Sequence, residues 1–200
     1  MGPVVCLITD RHQLTTPTEE GVIAQVAAAA RSGVHLVQIR ERDLEGRALL
    51  RLVRGCVAAV DGTSTRVLVN DRLDVAIAAG AHGVHLRGDS IPALRARTIA
   101  PGPFLIGRSV HDPDEAQRVT EEGGLDYLVF GPVFETSSKP GRPAVGLEAL
   151  RSVVSRTTLP VLAVGGVTNE RAAMLTGVGA AGFAAISLFA GVGHVPGGIY

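Results

Sequence analysis

Leu159-Pro160-Val161-Leu162-Ala163-Val164-Gly165-Gly166-Val167-Thr168-Asn169-Glu170 is the stretch on which the reading of the fold turns. Val161 to Val164 is short and wholly apolar, the pattern of a parallel strand covered on both faces. Two glycines follow, where backbone can approach a ligand with no Cβ in the way. Thr168 or Asn169 then stands where a side chain can cap a helix through Arg171 to Leu175. Strand, Gly-Gly and helix start together predict an anion cradle, with free N–H groups at the positive end of the helix dipole. The plainer alternative is a tight strand-to-helix turn that needs glycine only for its geometry.

The same unit recurs along the chain. Apolar runs at Val4–Ile8, His35–Arg40, Arg66–Val69, Gly83–Leu86, Phe104–Gly107, Tyr127–Phe130 and Gly182–Ser187 alternate with helical patterns such as Glu19–Arg31 and Gly46–Val60. Strands alternating with helices predict a parallel sheet with helical crossovers. With Val161–Val164 the runs make eight units, which is an α/β TIM (β/α)8 barrel in a single domain over residues 1–200, at the small end of that fold's range. The eighth unit is abbreviated. Beyond Phe189 the chain is short and rich in glycine and proline, unlike a closing helix. An open barrel side, a covering neighbour in a homodimer, or a truncated chain would each account for it.

Bulk composition narrows the function. The chain is 46% hydrophobic and 19% charged, with 19 basic residues against 19 acidic. That balance argues against nucleic acid or an anionic membrane as a partner, since both need a basic excess. Cys6 and Cys56 fall in apolar or helical patterns and read as buried thiols of a reducing compartment. With no leader pattern and no apolar stretch of about 18 residues, the expected location is the cytoplasm.

Barrel enzymes carry their sites at the C-terminal ends of the strands. Asp10, Gln38, Arg40, Asn70, Asp71, Asp89, Ser109, His111, Thr136, Lys139, Gly165, Gly166 and Ser187 fall there. Gln38, Arg40 and Arg42 share one face of the second strand by alternation. Pointing inward they would surround an anion, since guanidinium matches phosphate and carboxylate geometry. The rival reading pairs the arginines with Glu41, Asp43 and Glu45. Asn70, Asp71 and Asp89 offer oxygen ligands for Mg²⁺, against a favoured reading in which Asp71, Asp89 or Ser90 caps a helix. His111 is placed either to move a proton near neutral pH or to cap the helix begun by Asp112-Pro113. The other histidines show no zinc-ligand spacing.

Seven motifs occur in order: Leu7-Ile8-Thr9-Asp10, Gln38-Ile39-Arg40-Glu41-Arg42, Asn70-Asp71-Arg72, Gly83-Val84-His85-Leu86, Gly107-Arg108-Ser109-Val110-His111, Phe130-Gly131-Pro132-Val133-Phe134 and Ala163-Val164-Gly165-Gly166-Val167. Across Leu7 to Leu188 the chain resembles the thiamine phosphate synthase/TenI superfamily. In its synthase branch, which joins a pyrimidine pyrophosphate to a thiazole phosphate with Mg²⁺, the resemblance implies that Gln38, Arg40 and Asn70 hold the pyrophosphate. Arg42 stands where a lysine is usual, and Asp71 matches one metal carboxylate. The other normally ends a Gly-Gln-Glu-Asp-like segment, here Arg87-Gly88-Asp89-Ser90, so Ser90 takes its place with Asp89 adjacent. Thr136-Ser137-Ser138-Lys139 replaces a Thr-Pro-Thr-Lys motif.

In the TenI branch, a metal-free thiazole tautomerase, Arg40-Glu41-Arg42, the run ending at His111, and Phe134-Glu135-Thr136 find their likeness. The expectation is therefore a thiazole tautomerase of thiamin biosynthesis without cofactor, in which His111 carries the proton. Gln38, Arg40, Arg42, Asn70, Ser109, Thr136, Ser138 and Lys139 would hold a small phosphorylated thiazole, with its phosphate on Gly165, Gly166, Ile186 and Ser187. The alternatives are a thiamine phosphate synthase using Mg²⁺ at Asp71 and Asp89, or a non-catalytic regulatory barrel that binds a thiamin precursor.

Overall fold

Every expected apolar run forms a strand. The computed structural model describes residues 2–136 and 143–190. The strands are β1 (Val4–Ile8), β2 (Leu36–Ile39), β3 (Arg66–Asn70), β4 (Gly83–Leu86), β5 (Leu105–Val110), β6 (Tyr127–Phe130), β7 (Val161–Val164) and β8 (Gly182–Ala185). All pair in parallel in sequence order, and β1 pairs with β8 from Val4↔Gly182 to Leu7↔Ala185. The expected TIM barrel is thus present and closed, and the open-barrel explanation of the eighth unit is corrected. Seven helices lie between the strands: α1 (Glu19–Arg31), α2 (Gly46–Ala59), α3 (Leu73–Ala79), α4 (Ala93–Ile99), α5 (Pro113–Glu122), α6 (Gly146–Ser155) and α7 (Asn169–Gly177). After β8 only a 3-10 turn, Ser187–Phe189, follows among the described residues, and the Gly/Pro-rich tail lies outside them. No described helix is long and apolar enough to cross a membrane.

Both faces of each strand are covered, which explains the unbroken apolar runs. Leu7, Val37, Ile39, Val84, Ile106, Leu128 and Phe183 face outward beneath the helices, each at most 1% exposed. Burial of such side chains stabilises by about 1.5–3 kcal/mol each. Cys6, Ile8, Leu68, Tyr127, Val129, Leu162 and Ala184 face inward and fill the barrel. Burial pushes both cysteine thiols up to about 12, so they pack as apolar groups. Tyr127 needs room across the barrel, and Gly107 supplies it. A Cβ on Gly107 would lie 2.0 Å from the Tyr127 Cζ.

Three helix starts show why their residues are where they are. Thr18, Asp112 and Thr168 each accept a backbone N–H of the first turn, from Gly21, Glu115 and Arg171. Thr168, not Asn169, therefore caps α7, and Asp112, not His111, caps α5. The capping reading of Asp71, Asp89 and Ser90 is also corrected. The cap positions of α3 and α4 are Arg72 and Pro92, with no side-chain cap bond. β2 ends before Arg40 because the Arg40 N–H leaves the ladder for the Thr9 hydroxyl at 3.0 Å.

Gly107→Ala should destabilise the protein by about 1–3 kcal/mol, as overpacked cores do, because the tyrosine ring must leave its place. Urea unfolding measures this. A midpoint equal to wild type would show that the interior has slack.

Candidate active site

At the C-terminal end of the barrel the inward positions turn polar. The Gln38 Nε2 donates to the Asn70 Oδ1 at 3.0 Å. His85 is 2% exposed and lies between two hydroxyls, with Nδ1 3.0 Å from the Tyr127 oxygen and Nε2 2.9 Å from the Ser109 Oγ. Burial, with the Arg108 charge adding to it, pushes the imidazole pKa down to about 3. His85 is therefore neutral near pH 7 and has one nitrogen to donate and one to accept. Tyr127 was missed by sequence reading. Its signal was a phenol at an inward register position beside an inward-facing glycine.

The rim carries the charge. Glu41, only 4% exposed, accepts the Arg11 N–H and guanidinium at 3.2 Å, and Asp43 pairs with Arg11 and with His12. Arg11, which sequence reading passed over, thus takes two of the three carboxylates that the rival reading gave to Arg40 and Arg42, Glu41 and Asp43. Neither Arg40 nor Arg42 has an ion pair among the described residues. Desolvation first, then the Arg42 charge, lowers the Arg40 pKa, and Arg87 adds repulsion. Asp10 and Glu41 act on Arg40 in the opposite sense from a distance, so the half-buried guanidinium lacks a direct ion-pair partner among the described residues. A pocket of about 200 Å³, of whose lining Arg40 is not part, is lined among others by Glu41, Arg42, Asn70, Asp71, Arg72 and Arg87.

Asp71 is the one non-glycine residue with positive φ among those described, at 64°. Such a position costs a non-glycine side chain energy and is held by its surroundings. The Ser90 hydroxyl contacts the Asp71 Oδ1, and the Arg87 guanidinium lies 3.5 Å from the Oδ2. Asp89 is exposed and pairs with Arg87 instead. Arg108 holds this loop from below, donating to the Gly88 carbonyl at 2.9 Å and the Ser90 carbonyl at 3.2 Å. Arg108 was missed too, although a charged residue at the outward, helix-covered position of β5 was its sign. Mg²⁺ takes one or two carboxylates plus waters. Of the two carboxylates lining this pocket, Glu41 is held by Arg11 and Asp71 lies by Arg87, and a dication would also face Arg42 and Arg72. Among the described residues no three acidic, histidine or cysteine side chains converge. This donor set does not fit a protein-held Mg²⁺.

Across the mouth, Pro132, Thr136, Gly165, Gly166, Ile186 and Ser187 are among the residues lining a smaller pocket of about 50 Å³. The expected phosphate-binding residues thus lie around one cavity. The physical role of the glycines differs from the expectation. Gly165 and Gly166 have φ of 99° and 61°, and their missing Cβ atoms leave room for protein. A Cβ on Gly165 would lie 2.5 Å from the Pro132 Cβ, and one on Gly166 would lie 2.3 Å from the Glu135 carbonyl oxygen. The N–H groups of Gly165, Gly166 and Ile186 have no backbone acceptor among the described residues. Arg171 fixes the turn by donating to the Gly166 carbonyl at 2.7 Å while lying 4.7 Å from the Phe134 ring centre.

His111 stands apart from the polar floor. Its Nδ1 is 3.2 Å from the Glu115 Oε2, its N–H donates to the same oxygen at 2.7 Å, and its side chain is 44% exposed. The ring lies beside the β4–α4 loop, where a Cβ on Gly88 would be 3.4 Å from the His111 Cε1. Ser138 and Lys139 lie outside the described residues.

The chain is a closed TIM barrel with an arginine-rich pocket and a glycine-lined pocket at its C-terminal face. The chain belongs to the thiamine monophosphate synthase family, whose model matches residues 5–189. A putative thiamine-phosphate synthase of Geobacter sulfurreducens is 41% identical over 90% of this chain and 84% of its own length. The thiamine-phosphate synthase of Methanoculleus marisnigri is 41% identical over 86% and 81%. The solved thiamine phosphate pyrophosphorylase of Pyrococcus furiosus superposes with a TM-score of 0.81 at 30% identity, covering 94% of this chain and 87% of that one. These relatives overturn the expected thiazole tautomerase. They carry the name of the synthase branch, a transferase, so the isomerase reading and the proton shuttle assigned to His111 are withdrawn.

An unfolded imidazole takes a proton near about 6.5, whereas folded His85 resists until about 3. Between these values the unfolded chain binds more protons, so stability falls as pH drops through that window. His85→Gln should show a shallower fall. Urea midpoints of both proteins across that range test this, and parallel curves would show that His85 charges within the fold.

Proposed function

We propose that this chain is a thiamine-phosphate synthase, joining a pyrimidine pyrophosphate to a thiazole phosphate. The observation that carries the reading is Arg40, a desolvated guanidinium with no ion-pair partner among the described residues, two positions along the chain from Gln38, which bonds Asn70. It stands in a chain whose relatives bear that enzyme's name. In the reaction a carbon–nitrogen bond forms between the rings while the carbon–oxygen bond to pyrophosphate breaks. The bonding pair leaves with the pyrophosphate, so the catalytic task is to hold two anions and stabilise charge on the departing one.

Gln38, Arg40, Arg42 and Asn70 would bind the pyrophosphate, and guanidinium suits its growing charge. Ser109, oriented by neutral His85, would contact the pyrimidine end of the substrate. The N–H groups of Gly165, Gly166 and Ile186, without backbone acceptors among the described residues, would take the thiazole phosphate with Ser187, and Thr136 lines the same pocket. Substrates of this charge and size suit an enzyme of the cytoplasm.

Incubation with both substrates should yield thiamine phosphate and pyrophosphate in equal amounts, followed by chromatography. No product would return the chain to a binding role. Arg40→Gln should lower kcat by about 10²–10³-fold, the usual loss for one preorganised charge-stabilising donor. Gly165→Ala should mainly raise the KM for the thiazole phosphate. It meets Pro132 and an unfavourable φ at that pocket alone, and an equal rise for both substrates would place the phosphate elsewhere.

A further inference from the structure

The loop after β4 departs from the synthase pattern at two positions, and the two departures meet at one atom group. Where the pattern begins with glycine and ends with a carboxylate, this chain has Arg87 and Ser90. Both reach Asp71. The Ser90 hydroxyl contacts one carboxylate oxygen, and the Arg87 guanidinium lies 3.5 Å from the other. Arg108, buried beneath the loop, fixes the carbonyls of Gly88 and Ser90, so the loop bearing Arg87 is anchored. Arg87 also lines the 200 Å³ pocket together with Arg42, Asn70 and Arg72.

The charge balance of this pocket points one way. Replacing a carboxylate by a hydroxyl removes one negative charge, and replacing glycine by arginine adds one positive charge. Both changes weaken attraction for a dication and strengthen it for an anion. Arg72 is committed to Asp74 and Glu41 to Arg11, so neither offsets the change, while Arg87 is shared between Asp71 and the exposed Asp89 and would exchange Asp89 for the anion on binding. Arg40 and Arg42 remain without ion pairs among the described residues, and Arg40 feels the Arg87 charge.

We propose that Arg87 takes the place of a divalent cation in this chain, so that Arg40, Arg42 and Arg87 bind pyrophosphate without metal. The proposal rests on the synthase reading for the identity of the anion. Asp71 is then a positioning residue, orienting Arg87 towards the pocket, and its strained backbone sets that orientation. No metal-borne step is needed, because three guanidiniums can accept the charge of the leaving group.

Titration calorimetry of the whole chain with inorganic pyrophosphate tests this, with EDTA or with Mg²⁺ present. Wild type should bind in EDTA with an affinity within about threefold of that in Mg²⁺, a difference below about 1 kcal/mol. Arg87→Gly should weaken binding in EDTA by about 10- to 100-fold, the loss expected for one charged hydrogen-bonding partner. The exposed position of Arg87 leaves the fold intact in this variant, which circular dichroism verifies. Electron spin resonance of Mn²⁺ gives a second readout without pyrophosphate. Wild type should leave Mn²⁺ free, and the Arg87→Gly/Ser90→Asp double variant should bind it.

Pyrophosphate binding by wild type only in Mg²⁺, unchanged affinity in Arg87→Gly, or Mn²⁺ bound by wild type would each overturn the proposal. So would a double variant that gains no metal. Turnover separates this outcome from the parent reading. Metal-dependent binding with thiamine phosphate still formed defeats the arginine proposal alone. Metal-free, Arg87-dependent binding with no product formed defeats the synthase reading and leaves the arginine site standing.

Discussion

The hydrogen-bonded line from Tyr127 through His85 to Ser109 marks where the barrel interior stops being a core and becomes a site. Below it the inward layer is Cys6, Leu68 and Leu162; at and above it come Gln38, Asn70 and Ser109. The line exists because Gly107 leaves space for the Tyr127 ring. A buried imidazole is costly unless both nitrogens find partners, and here both do. Burial then keeps it neutral, so the floor of the mouth adds no positive charge of its own. The cationic character of the site comes entirely from the rim.

At that rim, stability and function compete for the same carboxylates. Arg11 holds Glu41 and Asp43, which ties the turn after β1 to the loop after β2. The cost is that Arg40 remains desolvated and unpaired. A protein keeps such a group only where something else satisfies it, and an anionic ligand does so on binding. The small-anion character of the site follows from this division of ion pairs more than from the number of arginines.

The glycine pair after β7 shows two demands met by one residue type. Positive φ turns the chain so that its N–H groups lack backbone partners, and the absent side chains admit the loop from Pro132 to Glu135. The turn geometry, opposed to an anion cradle on the sequence, is present, and it is that geometry which leaves the N–H groups without backbone partners among the described residues. Arg171, stacked against Phe134 and bonded to the Gly166 carbonyl, locks it.

The amino-acid sequence alone determined the barrel and the strand positions, because these follow from local periodicity. Apolar runs, strand-end polarity and alternation survive whatever the chain later packs against. Strand ends moved by one to three residues where tertiary bonds intervened, as at Arg40 and Thr9. Partner choice was not legible. Arg11 meets Glu41 across 30 residues, and His85 meets Tyr127 across 42. No local pattern encodes which cation reaches a carboxylate first. The same holds at Asp71, whose two neighbours come from a different strand end. Only the pairing of β3 with β4 places Arg87 and Ser90 against it, and that proximity sets the ion pairs of the pocket.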